Sequence, residues 1–190
     1  MSLHGDVERV LISEAQIETA IDRVAAEITS IYEGSDFTVV SVLKGSCVFA
    51  SDLIRRIPIP LELSFLGVSS YGAGTESGVL EITFLPSRNE IEGHRLLVVD
   101  DILDSGRTLH RVRAELETRG AREVRTCVFL DKPSRRVIPI VPDMRCFEIE
   151  DAFVVGYGLD FAGRYRNLPY VASLRPEVLA RHSARGLAGE

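Results

Sequence analysis

From Ile17 onward the apolar positions recur at helical spacing. Ile17, Ala20, Ile21, Val24, Ile28 and Ile31 fall on one stripe, the signature of an amphipathic helix. Ser13 and Gln16 stand ahead of it as a capping box, and Gly34 ends it. The period then changes. Phe37 to Leu43 is a β-branched apolar run, expected as a buried strand. Lys44-Gly45-Ser46 breaks it, and Val48 to Ile57 reads as a helix stopped by Pro58 and Pro60. In Leu61 to Val68, Leu61, Leu63 and Phe65 alternate with Glu62 and Ser64, predicting a second strand. Ser69 to Gly78 holds three Gly, three Ser and a Thr around Tyr71, a mobile loop by composition. Val79–Phe84, Arg95–Asp100 and Val124–Leu130 are further predicted strands. Thr108–Arg119 is an amphipathic helix stopped by Gly120. Phe147–Val155 and Tyr170–Leu174 are expected as short late strands, and the polar tail after Arg175 as a fraying end.

Strands and helices alternate through the middle of the chain, which predicts an α/β fold: a mostly parallel twisted sheet flanked by helices. Ligands bind such sheets at the carboxyl ends of the strands, so the informative loops follow Leu43, Asp100, Leu130 and Val155. A length of 190 residues argues for a single domain spanning 1–190. Hydrophobic residues are 45% and charged residues 26%, values that exclude collagen, coiled coil and wholesale disorder. No apolar run reaches the roughly 18 residues of a membrane span. The start of the chain lacks a basic segment followed by an apolar one, so a cytoplasmic location is expected.

The net charge of −6 disfavours nucleic acid as the main partner. It also requires that any anionic ligand be held by a local device, since the global field repels it. Cys47, Cys127 and Cys146 form no CxxC and read as reduced thiols, and the four His are scattered without metal-ligand spacing.

The chemistry concentrates in Val98-Val99-Asp100-Asp101-Ile102-Leu103-Asp104-Ser105-Gly106-Arg107-Thr108-Leu109. A buried strand delivers two adjacent acids, a short turn follows, and Asp-Ser-Gly-x-Thr opens a helix. Unpaired amides at the helix start, small residues that admit close approach, and the hydroxyls of Ser105 and Thr108 make a monophosphate cradle. The paired acids suit ribose hydroxyls or a divalent ion. The plainer alternative is that Asp104 or Ser105 only caps the helix.

This segment resembles the phosphoribosyl-pyrophosphate motif of the type I phosphoribosyltransferases, and other landmarks point to the hypoxanthine-guanine branch. Leu43-Lys44-Gly45-Ser46 resembles its pyrophosphate loop, and Ser69-Ser70-Tyr71-Gly72 the start of its lid. Asp131-Lys132-Pro133-Ser134-Arg135-Arg136 resembles the segment that carries the purine-reading lysine. Phe153-Val154-Val155-Gly156-Tyr157-Gly158-Leu159-Asp160 with Arg164-Tyr165-Arg166 resembles the purine pocket and pyrophosphate region. The resemblance runs from about Val7 to about Leu174. It implies the type I fold, with a small hood formed by the chain ends.

The resemblance also implies roles. Asp100 and Asp101 hold the ribose hydroxyls. Asp104 is the general base at purine N7, and Asp104, Ser105, Gly106, Arg107 and Thr108 cradle the 5′-phosphate. Lys44 and Gly45, across a cis peptide at Leu43–Lys44, face pyrophosphate together with Arg166. Lys132 donates to the purine 6-oxygen, Phe153 stacks on the ring, and the Val154 backbone meets the exocyclic position. Ser70 and Tyr71 belong to the lid. Asp160, with Asp100 and Asp101, supports Mg2+. The implied substrates are phosphoribosyl pyrophosphate and a 6-oxopurine, with no nucleic-acid or membrane partner and a homodimer or homotetramer. The chain departs from the family pattern in having Asp100 where Glu is frequent, Phe161 where Tyr is frequent, and Glu76 where the lid is often basic.

Taken singly, Phe153 reads equally as core filler, Lys132 as a solvated turn lysine, and Arg166 as a surface arginine. Two further functions stay open at this level: a ligand-sensing regulator on the same fold, and a sibling enzyme for xanthine or uracil.

Overall fold

The computed structural model describes residues 3–71 and 79–186. Its strands are β1 (Val7–Ile12), β2 (Thr38–Leu43), β3 (Glu62–Tyr71), β4 (Val79–Phe84), β5 (Arg95–Leu103), β6 (Glu123–Asp131), β7 (Met144–Glu148) and β8 (Val171–Leu174). Its helices are α1 (Glu14–Tyr32), α2 (Cys47–Ile54), α3 (Arg88–Ile91), α4 (Arg107–Thr118) and α5 (Pro176–Gly186). A six-stranded sheet has the order β4-β3-β2-β5-β6-β7. All its pairings are parallel except β3 with β4.

Strand alternation assigns the two faces. Val39, Leu97, Val99, Cys127 and Phe129 pack against α1 and α2 through Ile17, Ile21, Val24, Phe49 and Leu53. Val40, Val42, Leu96, Val98 and Val128 pack against α4 through Leu109, Val112 and Leu116. Both faces are covered, which is why these strands read as continuous apolar runs. The register places Leu43 opposite Gly67 and Leu103 opposite Asp131. Lys44, Asp104 and Lys132 therefore follow the ends of their strands along one edge of the sheet. The two chain ends meet in a separate antiparallel pair, β1 with β8, the hood expected from the resemblance.

The α1 capping box forms as expected: the Gln16 amide donates to Ser13 Oγ at 3.4 Å, and the Ser13 amide to Gln16 Oε1 at 2.9 Å. Several boundaries differ from the sequence reading. β7 lies upstream of the expected Phe147–Val155, because the buried-exposed alternation belongs to Met144, Arg145 and Cys146. Val154 and Val155 are buried instead in the loop beneath the hood, where Val155 bridges to Ala172. The polar tail after Arg175 forms α5, anchored by Val178 on Leu168, Leu174 and Tyr165, and the end expected to fray lies outside the described residues. β5 continues past Asp100 to Leu103, and β3 extends through Tyr71 into the expected loop. β1 and the short α3 were not anticipated.

Candidate active site

The turn between β5 and α4 is built against residues 131–140. Gly106 has φ +84° and is the N-cap of α4. A Cβ there would lie 2.8 Å from both the Ile138 carbonyl and Ile140 Cγ2, so the left-handed conformation and the close approach both require glycine. The amides of Val137 and Ile138 each donate to the Ser105 carbonyl at 3.0 Å. Arg136 Nη1 donates to the carbonyls of Leu103 (3.0 Å) and Asp104 (2.5 Å), while Nη2 pairs with buried Asp131. These bonds satisfy the carbonyls of the turn, while the amides of the first helical turn have no intrahelical acceptor.

The capping alternative for Asp104 fails: α4 has no side-chain cap, and the Asp104 carboxylate faces Arg135 Nε at 3.4 Å. Ser105 Oγ accepts only a long 3.4 Å bond from the Arg107 amide.

The two acids differ from ordinary strand-end carboxylates. Asp100 is 6% exposed, and its Oδ1 accepts the Asp101 amide at 3.0 Å. Burial, and secondarily the neighbouring Asp101 charge, push the Asp100 carboxyl well above its usual range. Burial also raises Asp101, against the opposing pull of Asp100's hydrogen bond and of Arg166.

A carboxyl raised in the native state binds its proton more tightly there than in the unfolded chain. Its linkage therefore lowers stability as pH climbs from the unfolded value toward the native one, and costs nothing below both. Each pKa unit of that difference is worth about 1.4 kcal/mol. Asp100→Asn, whose amide oxygen still accepts the Asp101 amide, is expected to raise Tm by about 2–4 °C per kcal/mol relieved. The gain is expected at pH 8 and to vanish near pH 4. Thermal denaturation of both proteins at the two pH values checks this, and an equal difference at both would refute it.

On the other side of the site, the loop after β2 is anchored by Ser46. Its buried hydroxyl donates to the Val42 carbonyl at 2.5 Å and pairs with Ser41 Oγ at 2.7 Å. The Leu43–Lys44 peptide is cis, as the resemblance implied. Lys44 is exposed and Gly45 buried. A Cβ on Gly45 would overlap the Asp101 carboxylate and come within 3.2 Å of Arg166 Nη1. Arg166 Nη1 donates to the Gly158 carbonyl at 2.6 Å, and Nη2 pairs with Asp160 at 2.5 Å. Gly45, Asp101, Asp160 and Arg166 thus come together.

The third wall carries Lys132 and Phe153. Lys132 is 7% exposed, which sets aside the solvated-turn reading, and its Nζ donates to the Ala152 carbonyl at 2.6 Å. Its amide donates to the Leu103 carbonyl at 2.9 Å, tying this wall to the phosphate turn. Phe153 is 50% exposed and meets Phe161 edge-on at 5.4 Å, so it is not core filler. Val154 is buried. Ser70 and Tyr71 continue β3 by backbone pairing with Leu80 and Val79. Their side chains and residues 72–78, and with them the expected lid, lie outside the described residues.

Sequence reasoning gave no role to Asp131, Arg135, Arg136 or Gly158. The adjacent arginines after Lys132-Pro133 were the available signal, but the carbonyls they reach are brought close only by the fold.

Among the described residues, no three His, Cys, Asp or Glu side chains gather as a metal-holding group. The donor set nonetheless fits Mg2+, which usually takes one or two carboxylates and completes its shell with water and substrate oxygens. No described helix is long and apolar enough to cross a membrane.

A mostly parallel sheet with a glycine-capped helix start after β5 and the cis-peptide loop after β2 beside it is the arrangement that the resemblance to the phosphoribosyltransferases implied. Residues 11–162 match the sequence profile of the phosphoribosyl transferase domain. The hypoxanthine-guanine phosphoribosyltransferase of Bacillus subtilis (strain 168) is 44% identical over 174 residues, covering 91% of this chain and 96% of its own. The crystal structure of a hypoxanthine phosphoribosyltransferase from Staphylococcus aureus superposes with a TM-score of 0.87 at 41% identity, covering 93% of this chain and 96% of that one. The bifunctional protein TilS/HprT of Listeria monocytogenes is 44% identical over 178 residues, and the chain spans 27% of its length. The chain belongs to the hypoxanthine-guanine phosphoribosyltransferase family.

Proposed function

We propose that this chain transfers the 5-phosphoribosyl group from phosphoribosyl pyrophosphate to hypoxanthine or guanine, giving inosine or guanosine 5′-monophosphate and pyrophosphate. The observation that carries this reading is the convergence of three walls on one sheet edge. They are the Asp104–Thr108 cradle, the Gly45–Asp101–Arg166 cluster, and Lys132 held on the Ala152 carbonyl beside exposed Phe153.

The 5′-phosphate sits on the amides of the α4 start, with the hydroxyls of Ser105 and Thr108 beside them. Asp100 and Asp101 accept from the ribose hydroxyls. Their raised proton affinity suits groups that share hydrogen bonds with hydroxyls rather than stand as free charges. Lys44, Gly45 and Arg166 receive the pyrophosphate. The C1′–oxygen bond breaks with its electron pair leaving on pyrophosphate, the purine ring nitrogen supplies the new bond to C1′, and the ring proton passes to Asp104. Arg166, held by Gly158 and Asp160, stabilises the leaving charge, a reading its fixed guanidinium supports.

One or two of the carboxylates of Asp100, Asp101 and Asp160 would hold Mg2+, which would supply further neutralisation of pyrophosphate. Lys132 presents only donors to the purine 6-oxygen, and Phe153 offers the ring a flat apolar face. Assembly as a homodimer or homotetramer rests on the family resemblance, and a cytoplasmic location on the sequence reading together with it.

A pyrophosphate-release assay with hypoxanthine, guanine, xanthine, adenine and uracil tests the proposal. Release is expected with hypoxanthine and guanine and at background with adenine and uracil. No release with any 6-oxopurine, or a preference for uracil, would overturn it.

A further inference from the structure

We infer that Tyr157 and Asp52 are positioning residues for the pyrophosphate half of the site, joined as a strut between the helix after the Lys44–Gly45 loop and the turn that holds Arg166. The inference rests on the assignment of pyrophosphate to Lys44, Gly45 and Arg166 made above. Tyr157 OH donates to Asp52 Oδ2 at 2.6 Å, across 105 residues of sequence. Asp52 lies on α2, which begins at Cys47 directly behind Lys44-Gly45-Ser46.

Tyr157 lies in the turn that carries Gly158 and Asp160. Both partners of the Arg166 guanidinium, the Gly158 carbonyl and the Asp160 carboxylate, belong to that turn. The turn is in contact with the loop as well, since a Cβ on Gly158 would overlap the Gly45 carbonyl. The two anion-binding pieces are therefore pressed together at Gly45–Gly158 and bonded together at Asp52–Tyr157.

Packing does not make the bond redundant. The Tyr157 ring rests on Phe129, with centroids 4.8 Å apart, but its hydroxyl end faces a cavity of about 350 Å³. That cavity is bordered by Asp52, Val48, Tyr157, Arg166 and Leu168. At the border of this cavity the Asp52–Tyr157 hydrogen bond spans from α2 to the turn, beside the backbone contact at Gly45–Gly158. Burial, and then the hydrogen bond to Asp52, push the Tyr157 hydroxyl well above its ordinary range, so it remains a donor throughout the working pH range. The purine wall is anchored elsewhere, by Lys132 on Ala152 and on Leu103, so the strut bears on one half of the site only.

The test is a split of Michaelis constants. Tyr157→Phe keeps the ring on Phe129 and removes the donor. It is expected to raise KM for phosphoribosyl pyrophosphate, and KM for pyrophosphate in the reverse reaction, by about 5- to 20-fold, part of the worth of a hydrogen bond to a charged group. KM for hypoxanthine is expected to stay within about twofold. Asp52→Ala should give the same split, and the double variant no more than either single change, the non-additivity of a shared contact. Asp52→Asn, whose amide oxygen still accepts, should show a smaller rise than Asp52→Ala.

Arg166→Gln is the control for the underlying assignment. If it leaves KM for pyrophosphate unchanged, the assignment itself fails. If it raises that constant while Tyr157→Phe and Asp52→Ala do not, the strut fails. A rise in all three KM values together would show a merely structural bond and would also overturn the inference. Should Tyr157→Phe not fold, as judged by circular dichroism, Asp52→Ala carries the test, since Asp52 is only partly buried and is also paired with Arg55.

Discussion

Asp104→Asn is expected to lower turnover by about 10²- to 10⁴-fold, the usual range for loss of an acid–base group, with little change in affinity for phosphoribosyl pyrophosphate. A carboxylate beside a phosphate cradle repels the ligand it borders, so its presence needs a reason. Helix capping is not that reason, because Gly106 is the N-cap and α4 has no side-chain cap. Structural support is not the reason either. The turn is held through its carbonyls by Arg136, Val137 and Ile138, and the Asp104 side chain contributes only a 3.4 Å contact with half-exposed Arg135. Surface pairs of that kind are worth about 0–1 kcal/mol.

An amide keeps the shape, loses the proton acceptor and removes the repulsion, so donor binding is expected to hold steady or tighten slightly. Single-turnover kinetics at saturating substrates, with donor affinity measured by calorimetry, separate these effects. Turnover within about threefold of the parent, with chemistry rate-limiting, would remove Asp104 from proton transfer.

What the sequence revealed of this site follows from how local each device is. The strand, turn and helix start proposed to hold the 5′-phosphate were legible because they are written in twelve consecutive residues. The sheet was legible because strands covered on both faces become apolar runs: Val39-Val40 and Val98-Val99 each bury one residue on each side. β1 was not legible, because most of its side chains are partly or fully exposed and its partner lies at the other end of the chain. α5 was not legible because a surface helix over the hood needs few apolar contacts, so its stretch reads only as a polar tail. β7 was displaced because the apolar residues Val154 and Val155 looked like a strand, whereas their burial comes from the hood.

The supporting shell was the least legible part. Arg136 acts on two carbonyls, Gly45 makes room for a carboxylate from the next strand, and Gly158 makes room for the Gly45 carbonyl. Each is a tertiary relation that composition and spacing do not carry. In the sequence Arg136 is one of many arginines, and only the fold shows it buried against Asp131.

Discrimination against adenine is expected to reach about 10⁴ in kcat/KM and to be relaxed by Lys132→Gln. A site built to hydrogen-bond a substrate group can reject an analogue that mispairs by that order. Lys132 is suited to this because its position is fixed before the base arrives. Its Nζ is bonded to the Ala152 carbonyl at 2.6 Å, and its side chain is nearly buried. An ammonium offers only donors. A 6-oxo group accepts from it, whereas a 6-amino group brings a second donor against it in a pocket with little water to relieve the mismatch.

Glutamine at position 132 can still donate to the Ala152 carbonyl through its amide nitrogen, leaving its oxygen to accept from a 6-amino group. The expected outcome is a fall of about 10²-fold in kcat/KM for hypoxanthine and a rise of about 10-fold or more for adenine, each close to the energy of one buried hydrogen bond. Lys132→Met separates recognition from simple loss of charge: it should depress hypoxanthine use equally but give adenine no gain, because a thioether offers the amino group no adequate acceptor. Parallel assays of both bases with the three proteins decide the point. Comparable use of adenine and hypoxanthine by the parent, or an unchanged ratio of the two in Lys132→Gln, would place the 6-position against some other group.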